Sequence, residues 1–141
     1  MTCAPALLKF LGIRLSLELI RTRAHAEQRL FQAILVQALE DATNVSGFKK
    51  DTYYKHDSHN WFMNNSNEFQ DICWGADMDP EFMRDQYKRL IREKKIIFTK
   101  LQKSWISYRA LYKQYREASS KEERREIKKL ILVENLRRLQ S

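Results

Sequence analysis

Residues that break helices are almost absent from this sequence, and their scarcity constrains the fold more than any other feature. Among 141 residues there are only three glycines and two prolines. Alternation of polar and apolar residues, which is typical of strands, is also rare, whereas apolar residues recur at steps of three and four. The sequence therefore predicts an all-α fold. With 43% hydrophobic residues the chain is globular rather than disordered, and its length suits one domain with an appendage.

The run FQDICWGADMDPEFMRDQY, residues 69–87, predicts two short helices joined by a tight turn. Asp77 to Pro80 form the turn. Asp79 can accept a backbone N–H bond at the start of the second helix, and Pro80 suits the first helical position, where its missing donor costs nothing. Asp77 occupies a position that is usually glycine in helix-turn-helix units, because the backbone there is left-handed.

Packing residues in the same run have the spacing that a helix-turn-helix unit needs. Cys73 offers the small side chain required where two short helices cross, and Met83 and Tyr87 follow at i, i+4, on the face toward the first helix. In such a unit the second helix presents its N-terminal residues to the major groove of DNA. Two packed core helices joined by an ordinary turn remain the open alternative.

Positive charge is concentrated in the later part of the chain. Residues 1–83 carry 8 basic and 11 acidic side chains, whereas residues 84–141 carry 18 basic and 7 acidic ones. Because Lys and Arg neutralise phosphates and release counterions, this asymmetry is typical of nucleic-acid binding. A solvated basic surface, or an arm for an acidic protein or a membrane face, is the open alternative.

The second helix of the predicted pair is therefore expected to contact duplex DNA over residues 80–92. Glu81, Arg84, Asp85 and Lys88 are predicted to face base edges or phosphates, while later basic residues hold the DNA backbone. The residues expected to bind DNA are Arg84, Lys88, Arg89, Arg92, Lys94 and Lys95.

A resemblance to a family rests on the string Trp61-Phe62…Phe69-Gln70-Asp71-Ile72-Cys73…Ala76…Asp79-Pro80-Glu81-Phe82-Met83-Arg84. Over about residues 27–90 the chain resembles small bacterial and phage proteins of the helix-turn-helix type. These carry the signature W-[FL]…F-x-x-[IV]-C-x-x-A-G-x-[DN]-P-x-x-[VI]-R. Asp77 replaces the glycine of that signature, and Met83 replaces its β-branched residue. The resemblance implies a small transcriptional regulator.

Three regions are expected along the chain. Residues 1–26 form an apolar extension, which charged residues interrupt too often for a transmembrane helix. It is open whether this extension is a folded helix, a partner-binding helix or the product of an over-extended start. Residues 27–95 form a helical domain containing the helix-turn-helix-like unit at 68–90. Residues 96–141 form a basic C-terminal helical hairpin, and the expected fold is the small helical domain followed by a long basic helix and this hairpin.

Within these regions the sequence predicts several local features. A helix is predicted from Glu27 to Thr43, a polar connection follows at residues 48–58, and a short helix runs from Ser58 to Asn64. Ser66 or Asn67 is expected to cap the next helix. Further along, the absence of glycine and proline from Pro80 to Ala118 indicates a long helix, and a break or a short strand at Ile96-Ile97 is the open alternative.

Aromatic residues follow a helical period in the C-terminal region, at Trp105, Tyr108, Tyr112 and Tyr115. Basic residues are interleaved with them, as in surfaces that stack single-stranded bases. The heptad-like spacing favours packing against another helix, either within the chain or in a dimer. We therefore expect a packing seam here. Farther on, Ser120 and Glu123 form a predicted capping box.

No catalytic arrangement stands out in the sequence, and we expect no enzyme activity, cofactor or metal site. His56 and His59 are expected to be surface histidines, and Cys73 a small packing residue in a reducing cytoplasm. The expected partner is double-stranded DNA, and a homodimer through the C-terminal helices remains open. The alternative function is a helical protein–protein interaction or assembly module without specific DNA binding.

Overall fold

The computed structural model describes residues 26–140, and every regular element in that range is an α-helix. The helices are α1 Ala26–Thr43, α2 Lys49–Asn64, α3 Asn67–Gly75, α4 Pro80–Arg92, α5 Lys100–Glu117 and α6 Lys121–Leu139. The predicted all-α class is confirmed. The predicted apolar extension at 1–26 lies, except for its last residue, outside the described residues. None of the helices within 26–140 has the length and apolar character that a membrane span requires.

The chain divides into two compact units. The first unit contains the described residues 26–44 and 54–97, and the second contains 45–53 and 98–140. Helix α2 contributes residues 49–53 to the second unit and its remainder to the first. The division between the units near residue 97 lies close to the boundary expected at 95 and 96, but residues 45–53 group with the C-terminal helices.

The core of the first unit is built around α3, which packs against both α1 and α4. Phe62, Phe69, Cys73 and Tyr87 have no exposed surface, and Met83 is almost as deeply buried. The rings of Phe62 and Tyr87 stack with centroids 4.3 Å apart. Burial also raises the pKa of the Cys73 thiol to about 12, so this residue is an unreactive packing side chain, as expected.

The ends of α3 and α4 follow the predicted capping chemistry. The Ser66 hydroxyl accepts a hydrogen bond from the Phe69 amide at 3.2 Å, and the Asp79 carboxylate accepts one from the Glu81 amide at 3.0 Å. Asp77 has φ 60°, the left-handed conformation expected at this position of the turn. The two helices and their turn are therefore present where the sequence predicts them.

Helix α2 corrects the prediction of a polar connection at residues 48–58 and a short helix beginning at Ser58. The helix is continuous from Lys49 to Asn64. Thr52 and Lys55 have no exposed surface although both are polar. The Lys55 ammonium donates to the backbone carbonyl of Ile97, and burial lowers its pKa to about 8.

His59 of α2 is half-buried rather than a surface residue, which corrects a second expectation. Its Nδ1 lies 2.8 Å from the Tyr87 hydroxyl. Burial lowers the pKa of His59, and the nearby charges of His56 and Lys55 lower it further.

The second unit is a pair of packed helices, α5 and α6, with residues 45–53. Residues 93–99 are not helical, which corrects the expectation of one long helix from Pro80 onward and favours the open alternative of a break at Ile96-Ile97; Lys94 there has φ 59°. Thr99 and Gln102 then form a capping box at the start of α5. Ser120 caps α6 by accepting from the Glu123 amide at 3.1 Å, but the Glu123 carboxylate accepts from Ser119 rather than Ser120.

Candidate functional site

Arg84 was predicted to face outward toward DNA, and the structure corrects this orientation. Its Nε donates to the Phe62 carbonyl at 3.2 Å, and its Nη2 donates to the Met63 carbonyl at 3.0 Å. Both carbonyls lie in the last turn of α2, where backbone acceptors lack partners within the helix. Arg84 therefore acts as a capping group inside the first unit.

The other predicted DNA-binding residues lie at the C-terminal end of α4 and just after it. Lys88 and Arg89 are half-buried, whereas Arg92, Lys94 and Lys95 are exposed. Arg89 and Lys95 each form an ion pair with the same Glu93 carboxylate, at 3.7 and 3.2 Å. These positive charges are at the end of α4 where cations stabilise a helix dipole.

The N-terminal end of α4 and the turn before it are acidic at the surface. Asp77, Asp79, Glu81 and Asp85 are all exposed. In a helix-turn-helix complex this end of the second helix approaches the DNA. Four carboxylates there oppose the phosphates, so the first unit lacks the electrostatics of a recognition helix at the position where the fold would require it.

Net charge differs sharply between the two units. The described residues of the first unit carry 8 basic and 11 acidic side chains, a net charge of −3. Those of the second unit carry 14 basic and 6 acidic side chains, a net charge of +8. The positive surface of residues 26–140 therefore belongs to the second unit.

A row of aromatic side chains runs along α5 in this basic unit. It consists of Trp105, Tyr108, Tyr112 and Tyr115, and we call it the aromatic row. Successive ring centroids lie 5.9, 6.0 and 6.0 Å apart. At 1.5 Å per residue the row extends over about 15 Å of helix. None of its rings is fully buried, and Tyr112 is 43% exposed.

Cationic side chains accompany the aromatic row at cation–π distances. The Arg138 guanidinium lies 3.9 Å from the Trp105 ring centroid and 4.8 Å from that of Tyr108. The Arg116 guanidinium lies 5.4 Å from the Tyr112 ring. Such contacts hold positive charge directly against the rings.

Residues 45–53 contribute further cation–π contacts beside the aromatic row. The Lys49 ammonium lies 5.3 Å from the Tyr108 ring, and the Arg109 guanidinium lies 4.4 Å from the Tyr53 ring. Burial raises the pKa of the Tyr53 hydroxyl, although the positive charges of Arg109 and Arg138 oppose the shift.

Hydrogen bonds hold the N-terminal end of the aromatic row in place. The Trp105 indole N–H donates to the Gly47 carbonyl at 3.1 Å, and the Gln102 amide donates to the Ser46 carbonyl at 3.0 Å. Between α5 and α6, the Ser104 hydroxyl donates to the buried Glu134 carboxylate at 2.9 Å. These bonds hold α5, α6 and residues 45–53 in one geometry.

Sequence reasoning identified the aromatic row but expected it to be a packing seam. It also missed Lys49, Tyr53 and Arg138 as neighbours of these rings. The i, i+3 and i+7 spacing of the row could indicate only that the rings share a face. The contribution of Lys49 could not be read from the pattern, because it depends on a helix that the sequence analysis assigned to a polar connection.

An exposed apolar stripe lies on the C-terminal half of α6. Leu132, Val133, Leu136 and Leu139 are exposed by 59, 50, 52 and 83% respectively. The buried side of the same helix is marked by Ile127 and Glu134. Four neighbouring apolar side chains in solvent are typical of a contact surface for another helix.

Comparisons of the chain with protein-family models, curated proteins and solved structures each found no match. The resemblance to helix-turn-helix proteins therefore stays a prediction. Among residues 26–140, no cluster of three or more His, Cys, Asp and Glu side chains has an arrangement that could hold a metal ion.

Proposed function

We propose that this chain binds DNA and that the second unit supplies most of the affinity. The observation that carries the proposal is the net charge of +8 on the second unit beside −3 on the first. Binding to a polyanion by counterion release depends on the number of cations that reach phosphates. The exposed cations of the second unit include Lys113, Arg116, Lys128 and Lys129.

Helix α4 has a smaller part in this proposal than the sequence predicted. Arg84 is engaged by backbone carbonyls, so it is not counted among the DNA contacts. Lys88, Arg92, Lys94 and Lys95 remain as candidates for phosphate contacts from the C-terminal end of α4. A role as a transcriptional regulator remains a prediction from the sequence.

Fluorescence-anisotropy titrations of a labelled duplex at several salt concentrations test the proposal. Three variants of the full chain each lose two exposed cations. They are Arg92→Gln/Lys95→Gln in and after α4, Lys113→Gln/Arg116→Gln in α5 and Lys128→Gln/Lys129→Gln in α6. Because each pair removes the same formal charge, the variants are matched controls for one another.

We expect wild-type affinity to fall steeply with salt concentration. Each lost phosphate contact reduces the slope of log K against log salt by about 0.9 for duplex DNA. The α5 and α6 variants are expected to lose more slope than the α4 variant. A wild-type affinity that does not depend on salt would contradict DNA binding. A reduced salt slope in the α4 variant alone would mean that α4, the helix predicted from the sequence, contacts the DNA.

A second candidate function is assembly through α6. The apolar stripe of Leu132, Val133, Leu136 and Leu139 supports it. Burial of such side chains against a second copy would be favourable by about 25 cal/mol per Å² of apolar surface. Sedimentation velocity over a concentration series tests it. We expect Leu136→Glu to abolish self-association and Leu30→Glu, an equally exposed site in the first unit, to preserve it; a concentration-independent monomer in the wild type would contradict this function.

A further inference from the structure

The aromatic row is not part of a hydrophobic core. Within residues 45–53 and 98–140, the buried apolar residues are Ala118 and Ile127. Trp105, Tyr108 and Tyr115 are half-buried, and Tyr112 is exposed. Trp105, Tyr108 and Tyr115 are therefore partly packed, and Tyr112 is the ring whose exposure packing does not account for.

The tyrosine rings of the row lie at small angles to one another along α5. The Tyr108 and Tyr112 rings are stacked at an interplanar angle of 27°, and the Tyr112 and Tyr115 rings are tilted by 34°. Their centroids recur at 6.0 Å intervals. Nucleic-acid bases stack on such rings whatever their sequence, because every base has a π face.

Charge beside the row complements a phosphate backbone. Arg116 and Arg138 lie over the rings of α5, and Lys49 approaches them from residues 45–53. A groove that combines aromatic platforms with a line of cations is the general solution for binding single strands. Arg138 and Lys49 both contact the Trp105 ring, so positive charge is also present at that end of the row.

We propose that the aromatic row binds single-stranded DNA, with unpaired bases stacked on Tyr112 and its neighbouring rings and phosphates held by Arg116 and Lys113. This inference rests on the proposed DNA-binding function and assigns its substrate class. In a duplex the base faces are covered by neighbouring base pairs, so the rings cannot stack on them. Duplex binding therefore relies on the cations, and single-strand binding gains the stacking contacts in addition.

The test uses the full chain with three probes of equal length: an oligothymidylate, an abasic strand of the same backbone and a duplex. Tyr112→Leu removes the most exposed ring of the row, and Tyr112→Phe retains it. Tyr54→Leu is the matched control, since Tyr54 is a similarly exposed tyrosine of the first unit. Circular dichroism confirms that each variant is folded.

We expect Tyr112→Leu to lose roughly fivefold to a hundredfold in affinity for oligothymidylate, the range that removal of one stacking ring produces. Its affinity for the duplex should stay unchanged, and Tyr112→Phe and Tyr54→Leu should behave as wild type. The abasic strand should bind more weakly than oligothymidylate. Intrinsic tryptophan fluorescence should change when oligothymidylate binds, because Trp105 lies at one end of the row, and an RNA strand should bind no more tightly than DNA.

Three results would overturn the inference. They are an unchanged oligothymidylate affinity in Tyr112→Leu, equal affinity for the abasic strand, and tighter binding of RNA than of DNA. If the wild type binds duplex with a steep salt dependence and any of these results appears, the substrate assignment fails while the proposed function stands. If it binds none of the nucleic-acid probes, both fail.

Discussion

Replacement of Arg84 by methionine tests whether this residue stabilises the fold or contacts DNA. The change keeps a long apolar side chain but removes the hydrogen bonds to the Phe62 and Met63 carbonyls, 3.2 and 3.0 Å in length. A hydrogen bond to a charged group contributes about 1.5–3 kcal/mol, and Arg84 is half-buried, which favours the lower end of that range. Loss of a cation at the C-terminus of α2 adds a few tenths of a kcal/mol.

We therefore expect Arg84→Met to lower the free energy of unfolding by about 3 kcal/mol, since it removes two such bonds. For a domain of this size the midpoint of thermal unfolding falls by roughly 10 °C or more. Urea unfolding followed by tryptophan fluorescence measures the change, because Trp61 lies beside Phe62 in the first unit. Arg92→Met is the control: it removes an exposed arginine of the same helix and should alter stability by less than about 0.5 kcal/mol.

Two results would refute this account of Arg84. One is a stability of Arg84→Met within about 0.5 kcal/mol of the wild type, which would mean that its hydrogen bonds contribute little. The other is a folded Arg84→Met protein that loses DNA affinity, with a reduced salt slope, while Arg92→Met does not. That result would restore the outward, DNA-contacting position predicted from the sequence.

Other predictions concern the backbone and the buried lysine. Asp77→Gly should raise stability by about 1 kcal/mol, since glycine adopts φ 60° without strain, whereas Asp77→Val should lower it; urea unfolding compares the two. Gly75→Ala should lower stability by about 1–3 kcal/mol in the same assay, because its Cβ would lie 2.2 Å from the Phe31 ring. Lys55 has a folded-state pKa of about 8, below its unfolded value, so stability should rise between about pH 8 and pH 10 as the folded form sheds its proton first. Lys55→Met should lose that rise, and a slope identical to wild type would contradict the buried position of the ammonium.

The helices around the turn could be predicted because several local signals agree there. Asp79 and Pro80 mark a helix start, Asp77 accepts the left-handed turn, and Met83 and Tyr87 have the i, i+4 spacing of buried residues. Each of these features depends on residues within one or two helical turns of one another. Local chemistry of that kind is visible in a sequence without knowledge of the remaining fold.

The first half of helix α2 could not be predicted because its buried positions are polar. Thr52 and Lys55 have no exposed surface, yet a hydrophobic pattern treats both as solvent-facing. Lys55 is accommodated by the Ile97 carbonyl, which is 42 residues away in the chain. An acceptor at that sequence distance leaves no local pattern from which the helix could be recognised.

The orientation of Arg84 was missed for a related reason. Helical periodicity placed it away from Met83 and Tyr87, and periodicity alone equates that direction with solvent. In the structure the end of α2 lies there and offers two carbonyl acceptors. A long guanidinium that meets a helix C-terminus is a capping group, although its sequence pattern is the same as that of a DNA contact.

The charge step at Arg84 has two separate physical origins, and only one of them favours nucleic-acid binding. In α4, acids at the N-terminal end and bases at the C-terminal end both stabilise the helix dipole, so their order along the chain needs no ligand. In the second unit α6 has the same order, with Glu122 and Glu123 in its first turn and Arg137 and Arg138 in its last turn, but the unit as a whole still carries a net charge of +8. Two unit charges 4 Å apart in water interact by about 1 kcal/mol, so the carboxylates of Asp77, Asp79, Glu81 and Asp85 would oppose groove entry by α4. Because the second unit carries 14 basic and 6 acidic side chains whereas the first carries 8 and 11, affinity for a polyanion should follow the second unit, and the matched double variants measure this partition directly.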